Sequence, residues 1–356
     1  MSFTPIANVG EFGLIDRLKD VLGKESDEKV LIGIGDDAAA VSIDERRIQV
    51  ITTDALVEGV HFDRTFIPMR YLGRKALAVN VSDIVAMNAR PHVATVAIGV
   101  PNDVSVEQME ALYGGIAEAA AEYGVTVVGG DTTAAQRMFI SITVTGEVAP
   151  ERLTRRSGAQ PGDLLCVTGD LGASAAGLKL LLEGKSHAFQ DDDAGATPAA
   201  ASGDGAPAET GPDLRAYAHL VERHLAPKAR MDILAHWSEL DLLPTSLIDI
   251  SDGLASEVHH ICKSSNVGAV VEAGLLPIHV QTFQAAERYA ENAASYALFG
   301  GEDYELLFTM AESETTKLNP NSFAVVGHIV DAEEGVLLRG PDGSTEPLPE
   351  GGFSHL

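Results

Sequence analysis

Aspartates beside glycine, serine or threonine recur along this 356-residue chain, most of them after a short apolar run. Gly33-Ile34-Gly35-Asp36-Asp37 sets two adjacent carboxylates after the apolar residues 30–32. Asp54 closes the run 48–51 in Thr52-Thr53-Asp54, and Asp83 follows in Asn80-Val81-Ser82-Asp83. Asp131 stands in Gly129-Gly130-Asp131-Thr132, and Asp249 and Asp252 in Asp249-Ile250-Ser251-Asp252-Gly253. Loops after strands are where α/β folds hold ligands. Converging carboxylates repel unless a cation sits among them. An all-oxygen donor set suits Mg²⁺, which commonly bridges protein carboxylates to substrate phosphates. Any one of these aspartates is as well explained by a turn or a helix cap; taken together they point to a Mg–nucleotide site.

Other motifs carry less. Gly33-Ile34-Gly35-Asp36-Asp37-Ala38 has the spacing of a dinucleotide-binding turn, with Asp54 near the place of its ribose acid. That turn must open a helix facing pyrophosphate, whereas the residues after Ala38 read as strand and turn. Two aspartates would also repel the phosphates. Gly184-Lys185-Ser186 imitates the end of a P-loop, but position 179 is Lys179 instead of glycine and the tripeptide reads as a helix C-cap. Gly300-Gly301-Glu302-Asp303-Tyr304-Glu305 reads as a tight turn into a strand. His61 follows the Gly59 turn near the acidic loops and is a candidate substrate contact; His259-His260, adjacent on a helix, do not share a face.

The elements that must position these residues follow from periodicity. Helices are expected over 11–22, 71–87 (with Ser82 and Asp83 at its end) and from a Ser105/Gln108 capping box to Tyr123 before Gly124. Strands are expected over 30–34, 48–53, 94–100, 125–128 feeding the Gly129-Gly130-Asp131 turn, and 139–148. A boundary near 149–157 would divide a domain over 1–150 from a second over 151–356. In the second, strands are expected over 164–168, 247–250, 269–272, 304–308 and 323–329, with helices over 174–183 (ended by Gly184), 214–225, 231–238 and 254–264. Residues 186–213, without Lys or Arg, read as a disordered insert. Alternating strands and helices give the class α/β or α+β.

The formal charge of −27 argues against nonspecific nucleic-acid binding. No apolar run approaches the roughly 18–20 residues of a membrane span. The beginning of the sequence has no secretory pattern, and Cys166 and Cys262 sit in apolar patterns as buried free thiols, so a cytoplasmic location is expected.

These motifs resemble, in order and over nearly the whole chain, the thiamine-monophosphate kinases of the aminoimidazole-ribotide-synthetase-like superfamily. The matching stretches include Gly10-Glu11-Phe12, Gly33 to Ala38, Glu58-Gly59-Val60-His61-Phe62, Asn80 to Ile84, Gly129 to Thr132, Arg156-Ser157-Gly158-Ala159, Asp249 to Leu254 and Gly300 to Leu306. Each is weak alone and together they are specific. Departures are the 186–213 insert, the final residues, and Asn88 where the family usually has glycine. Neither cysteine is N-terminal and the last residue is Leu356, which separates the chain from the selenophosphate-synthetase and hydrogenase-maturation relatives.

The resemblance implies ATP-dependent phosphorylation of thiamine monophosphate to thiamine diphosphate. It implies a homodimer in which the N-terminal sheets pair into a barrel beneath C-terminal α/β domains. Asp37, Thr52, Thr53, Asp54, Asp83, Asp131, Asp249 and Asp252 would hold several Mg²⁺ ions, with Asp36 a weaker candidate. Tyr113, Gly130, Asp131, Arg156 and Ser251 would face ATP, and His61, Glu302 and Phe353 thiamine monophosphate. The alternative is another ATP-dependent synthetase of this fold with a different acceptor.

Overall fold

A computed structural model describes residues 5–23, 27–193 and 212–352, with side chains for most of them. Two mixed sheets follow one another along the chain. The first has the order β1-β2-β3-β6-β4-β5, from β1 (Val30–Ile32), β2 (Ala39–Asp44), β3 (Arg47–Val57), β4 (Arg90–Val100), β5 (Thr126–Ala134) and β6 (Phe139–Val148). Its pairs are antiparallel except β4 with β5. In β6 every second residue is buried, from Ile140 to Val148, as a strand with one covered face requires. The covering helices are α2 (Met69–Ala86) and α3 (Val106–Tyr123), with α1 (Gly10–Leu22) preceding the sheet. The opposite face is open among the described residues: Thr53, Ala55, Thr95, Val128 and Asp131 are exposed on it or at its β5 edge.

The second sheet has the order β13-β12-β9-β11-β7-β10-β8. Its strands are β7 (Leu164–Val167), β8 (Ser246–Asp249), β9 (Gly268–Glu272), β10 (Leu306–Met310), β11 (Ala324–Val330), β12 (Val336–Arg339) and β13 (Thr345–Pro347). Around it run α4 (Ala173–Asp193), α5 (Ala218–Leu225), α6 (Met231–Glu239), α7 (Leu254–Ser265), α8 (Val280–Tyr289), α9 (Ala293–Phe299) and the short α10 (Glu312–Thr315). One apolar cluster joins both sheets, running from Val50 and Ile142 through α2 to Trp237 and Phe308.

Three local expectations change. Gly129-Gly130-Asp131 lies inside β5 and is not a turn; a Cβ on Gly130 would meet the Val96 carbonyl oxygen at 1.8 Å, so glycine here permits the close approach of β4. Gly184 does not end α4, which continues to Asp193. The start of the expected disordered insert is therefore helical, and 194–211 lie outside the described residues. The last sheet strand before α10 begins at Leu306, because Gly301, Glu302 and Tyr304 all take positive φ. Asn88 also has positive φ, 55°, a conformation that Asn and Gly tolerate best, and its Nδ2 donates to the Arg152 carbonyl. Cys166 and Cys262 are buried and free.

Helices α2 and α3 touch through glycines. A Cβ on Gly115 would sit 1.9 Å from the Arg70 carbonyl oxygen, whereas one on the neighbouring Gly114 meets nothing within 4 Å. Gly115→Ala is therefore expected to destabilise the protein by about 1–3 kcal/mol, as overpacking does. Gly114→Ala is expected to be neutral or stabilising by up to about 1 kcal/mol through helix propensity. Urea unfolding of the two variants side by side checks the contrast.

Candidate active site

A cavity of about 910 Å³ opens between the two sheets. On its floor, three carboxylates from three elements converge. Asp37 leads into β2, Asp83 sits in the last turn of α2, and Asp249 ends β8. Their oxygens lie within 4.8 Å of one another. Short hydrogen bonds aim them: Thr52 Oγ1 donates to Asp83 Oδ2 at 2.6 Å and Ser82 Oγ to Asp249 Oδ2 at 2.6 Å. Asn80 steadies the neighbouring strand by accepting from the Asp54 backbone N–H at 2.8 Å.

Burial and mutual repulsion raise these acids. Burial first, then Asp37, pushes Asp249 up to about 8. Burial and then Asp54, Asp249 and Asp37 raise Asp83 well above the ordinary carboxylate range. Burial and Asp37 bring Asp36 to about 6. Arg156 opposes this from one side only. Its Nη2 and Nε donate to Asp37 Oδ1 at 2.6 and 3.1 Å, while Asp37 Oδ2 is buried with no hydrogen-bond partner.

Above the cluster, Glu257 Oε1 accepts the backbone N–H groups of Ser251 and Asp252 at 3.2 and 2.8 Å, fixing the loop between β8 and α7. His61 Nδ1 accepts from the Val57 N–H at 3.0 Å, and the residue lines the cavity. Val57, Phe62, Phe66, Leu178 and Leu182 make an apolar wall, and Glu302 lies near His61 and His224.

The comparisons with known proteins now bear on this geometry. Residues 35–148 match the family described as AIR synthase related protein, N-terminal domain. A thiamine-monophosphate kinase of Aquifex aeolicus is 36% identical over 94% of this chain and 96% of its own. One of Escherichia coli K12 is 35% identical over 98% of each. The chain belongs to the thiamine-monophosphate kinase family. A solved structure of the family, described as AaThiL complexed with AMPPCP and TMP, aligns with a TM-score of 0.80 at 33% identity over 100% of both chains.

Of the residues singled out in the sequence, the cavity of this family member gathers Asp37, Thr52, Thr53, Asp54, Asp83, Arg156, Asp249, Ser251, Asp252, His61 and Glu302. Asp131, Gly130 and Tyr113 do not line it: the first two lie on exposed β5, three strands from β3, and Tyr113 is exposed on α3. Phe353 lies outside the described residues. Sequence reasoning passed over Lys75, His224 and Glu257. Glu257 had a weak signal, an acid in the first turn after Asp-Gly; Lys75 and His224 had none, being lone polar residues in helical patterns.

The acid cluster sets a pH dependence. Asp36 and Asp249 have folded-state pKa values of about 6 and about 8, above the ~3.9 of an unfolded chain. Their stabilising contribution is complete below pH ~4 and is lost as pH rises through those folded values. In EDTA the melting temperature is expected to fall between about pH 4 and 8, and Asp249→Asn to flatten the part of that fall above about pH 6. An equally steep fall in the variant would remove Asp249 as its source.

Proposed function

We propose that this chain transfers the γ-phosphoryl group of ATP to the phosphate of thiamine monophosphate, giving ADP and thiamine diphosphate. The observation that carries the reading is the buried cluster Asp37, Asp83 and Asp249 on the floor of the cavity, in a chain alignable from end to end with thiamine-monophosphate kinases.

The donor set fits Mg²⁺: it is oxygen only, and Asp37 Oδ2 is buried and without a partner. Asp37, Asp83 and Asp249 would hold ions, with Thr52, Thr53, Asp54, Asp131 and Asp252 as the further donors. When bound, such ions neutralise the charge of two approaching phosphates. Arg156 and Ser251 would contact ATP, and His61 and Glu302 the acceptor. The acceptor is a phosphate already ionised near neutral pH, so the protein need supply no strong base. Its work is to orient two anions in line and keep water out. The apolar wall of Phe62, Phe66, Leu178 and Leu182 suits the organic part of the acceptor, and transfer would be direct, without a phosphoenzyme.

We infer that two copies pair through the open face of the first sheet, closing a barrel. That pairing gives Asp131, Gly130 and Tyr113, which stand outside the cavity of a single chain, a route to a shared nucleotide site. Two domains, 1–150 and 151–356, and a cytoplasmic location complete the reading; among the described residues no helix is long and apolar enough to cross a membrane.

With ATP, MgCl₂ and thiamine monophosphate, ADP and thiamine diphosphate are expected in equal amounts, and EDTA is expected to abolish both. ATP binding without thiamine diphosphate would shift the reading to another acceptor, found by a substrate panel. Asp54→Asn and Asp131→Asn are expected to lower kcat by about 10²-fold or more, as loss of a charge-stabilising group does, with unchanged circular dichroism. A near-normal rate in either removes that residue from the metal set.

A further inference from the structure

Lys75 lies midway along α2 and is fully buried. It does not line the cavity. Its Nζ lies 2.9 Å from Glu302 Oε1 as an ion pair. An ammonium removed from water needs an anion opposite it, and among the described residues Glu302 is the acid within ion-pair distance.

The second Glu302 oxygen, Oε2, lies 3.4 Å from His224 Nδ1, itself 3.1 Å from Ser174 Oγ. Burial and then Lys75 push His224 down to about 3, so the imidazole is neutral near pH 7. The other ionisable groups facing Glu302 are His61, at the cavity, and Tyr304, whose hydroxyl burial keeps protonated. The fixed positive charge on Glu302 is therefore that of Lys75. Burial works against the Glu302 carboxylate, yet Lys75, with smaller help from His224 and His61, holds it below the ordinary range.

The backbone agrees with a pinned side chain. Glu302 has φ of 56° and Tyr304 of 51°, a region non-glycine residues avoid. Their N–H groups donate to the carbonyls of Ser251 and Ile250 at 2.6 and 2.9 Å. Such conformations persist where the surroundings over-determine them.

We propose that Lys75, without touching substrate, is the positioning residue for the acceptor end of the cavity: it holds Glu302 in place as an anion that selects a ring bearing positive charge or N–H donors. Thiamine monophosphate carries both, a cationic thiazolium and an aminopyrimidine. This rests on the thiamine-monophosphate kinase reading of the site. It adds to that reading a residue outside the cavity and a specificity that Glu302 alone, half-buried and uncompensated, would lose on taking up a proton.

The test is steady-state kinetics of Lys75→Met, Glu302→Gln and the double variant in the full chain. In Lys75→Met, KM for thiamine monophosphate is expected to rise about tenfold or more at pH 7, with KM for ATP within about twofold. Its kcat/KM for thiamine monophosphate is expected to fall more steeply with decreasing pH than that of the unsubstituted protein, because Glu302 without Lys75 takes up a proton more readily. The double variant is expected to match Glu302→Gln. Parental acceptor KM and pH profile in Lys75→Met, or a further loss in the double variant, overturns the proposal. If Lys75→Met does not fold, the comparison of the double variant with Glu302→Gln decides alone. If the unsubstituted protein turns over no thiamine monophosphate, the proposed reaction fails, and thermal unfolding still decides the pairing: Lys75→Met lowers the melting temperature and adding Glu302→Gln restores part of it. Equal losses in the two overturn it.

Discussion

Repulsion among buried carboxylates is the constraint on which the rest of this structure depends. Asp37, Asp83 and Asp249 approach within 4.8 Å of one another, two of them at positions where water is largely excluded. Left alone, such a cluster would push its three elements apart or take up protons. The fold resists the first outcome with short hydrogen bonds from Thr52 and Ser82, and with Arg156 on Asp37. It accepts the second in part: burial, and then this repulsion, raises Asp83 and Asp249. Proteins keep arrangements of this kind where a charged ligand relieves them.

The two ends of the cavity solve opposite electrical problems. The floor gathers negative charge in excess of its one guanidinium. Toward Glu302, that residue's carboxylate is balanced by the Lys75 ammonium behind it. The excess suits a cation-bridged phosphate, and the balanced pair suits an organic ring. In the proposed reaction this would separate recognition of the reacting group from recognition of the molecule that carries it.

Much of this was legible in the sequence, for reasons particular residues make clear. Strands and helices of the first sheet follow their alternation, and the Ser105–Gln108 capping box forms as expected. Asp37, Asp54 and Asp249 announced themselves as acids close after apolar runs, and Asp83 as an acid beside serine at the end of a helical pattern; the fold brings these ends together. Asp131 sits among glycines as well, but Gly130 serves strand contact with Val96, so local composition suggested a turn where a strand continues. Gly184 looked like a helix stop because glycine is common there; α4 passes through it, with Leu178 and Leu182 earlier in the helix already packed at the cavity. Lys75 was illegible because a lysine inside an apolar helical pattern is ordinarily a solvated one. Only the packing on every side of α2 reveals that it is not.

That packing has a consequence for how the protein comes to be folded at all. Thirteen of the eighteen residues of α2 are buried, and the helix touches α3, β3, β4 and β6 of the first sheet as well as β8 and α5 of the second. A helix covered on nearly every side has little face to offer water; most of its cover comes from the first half of the chain, and β8 and α5 of the second close what remains. Assembly of the first sheet without the second would leave part of α2 bare, Lys75 and its neighbours included. A truncated or half-synthesised chain would expose the part of α2 that β8 and α5 cover, and leave Lys75 without Glu302.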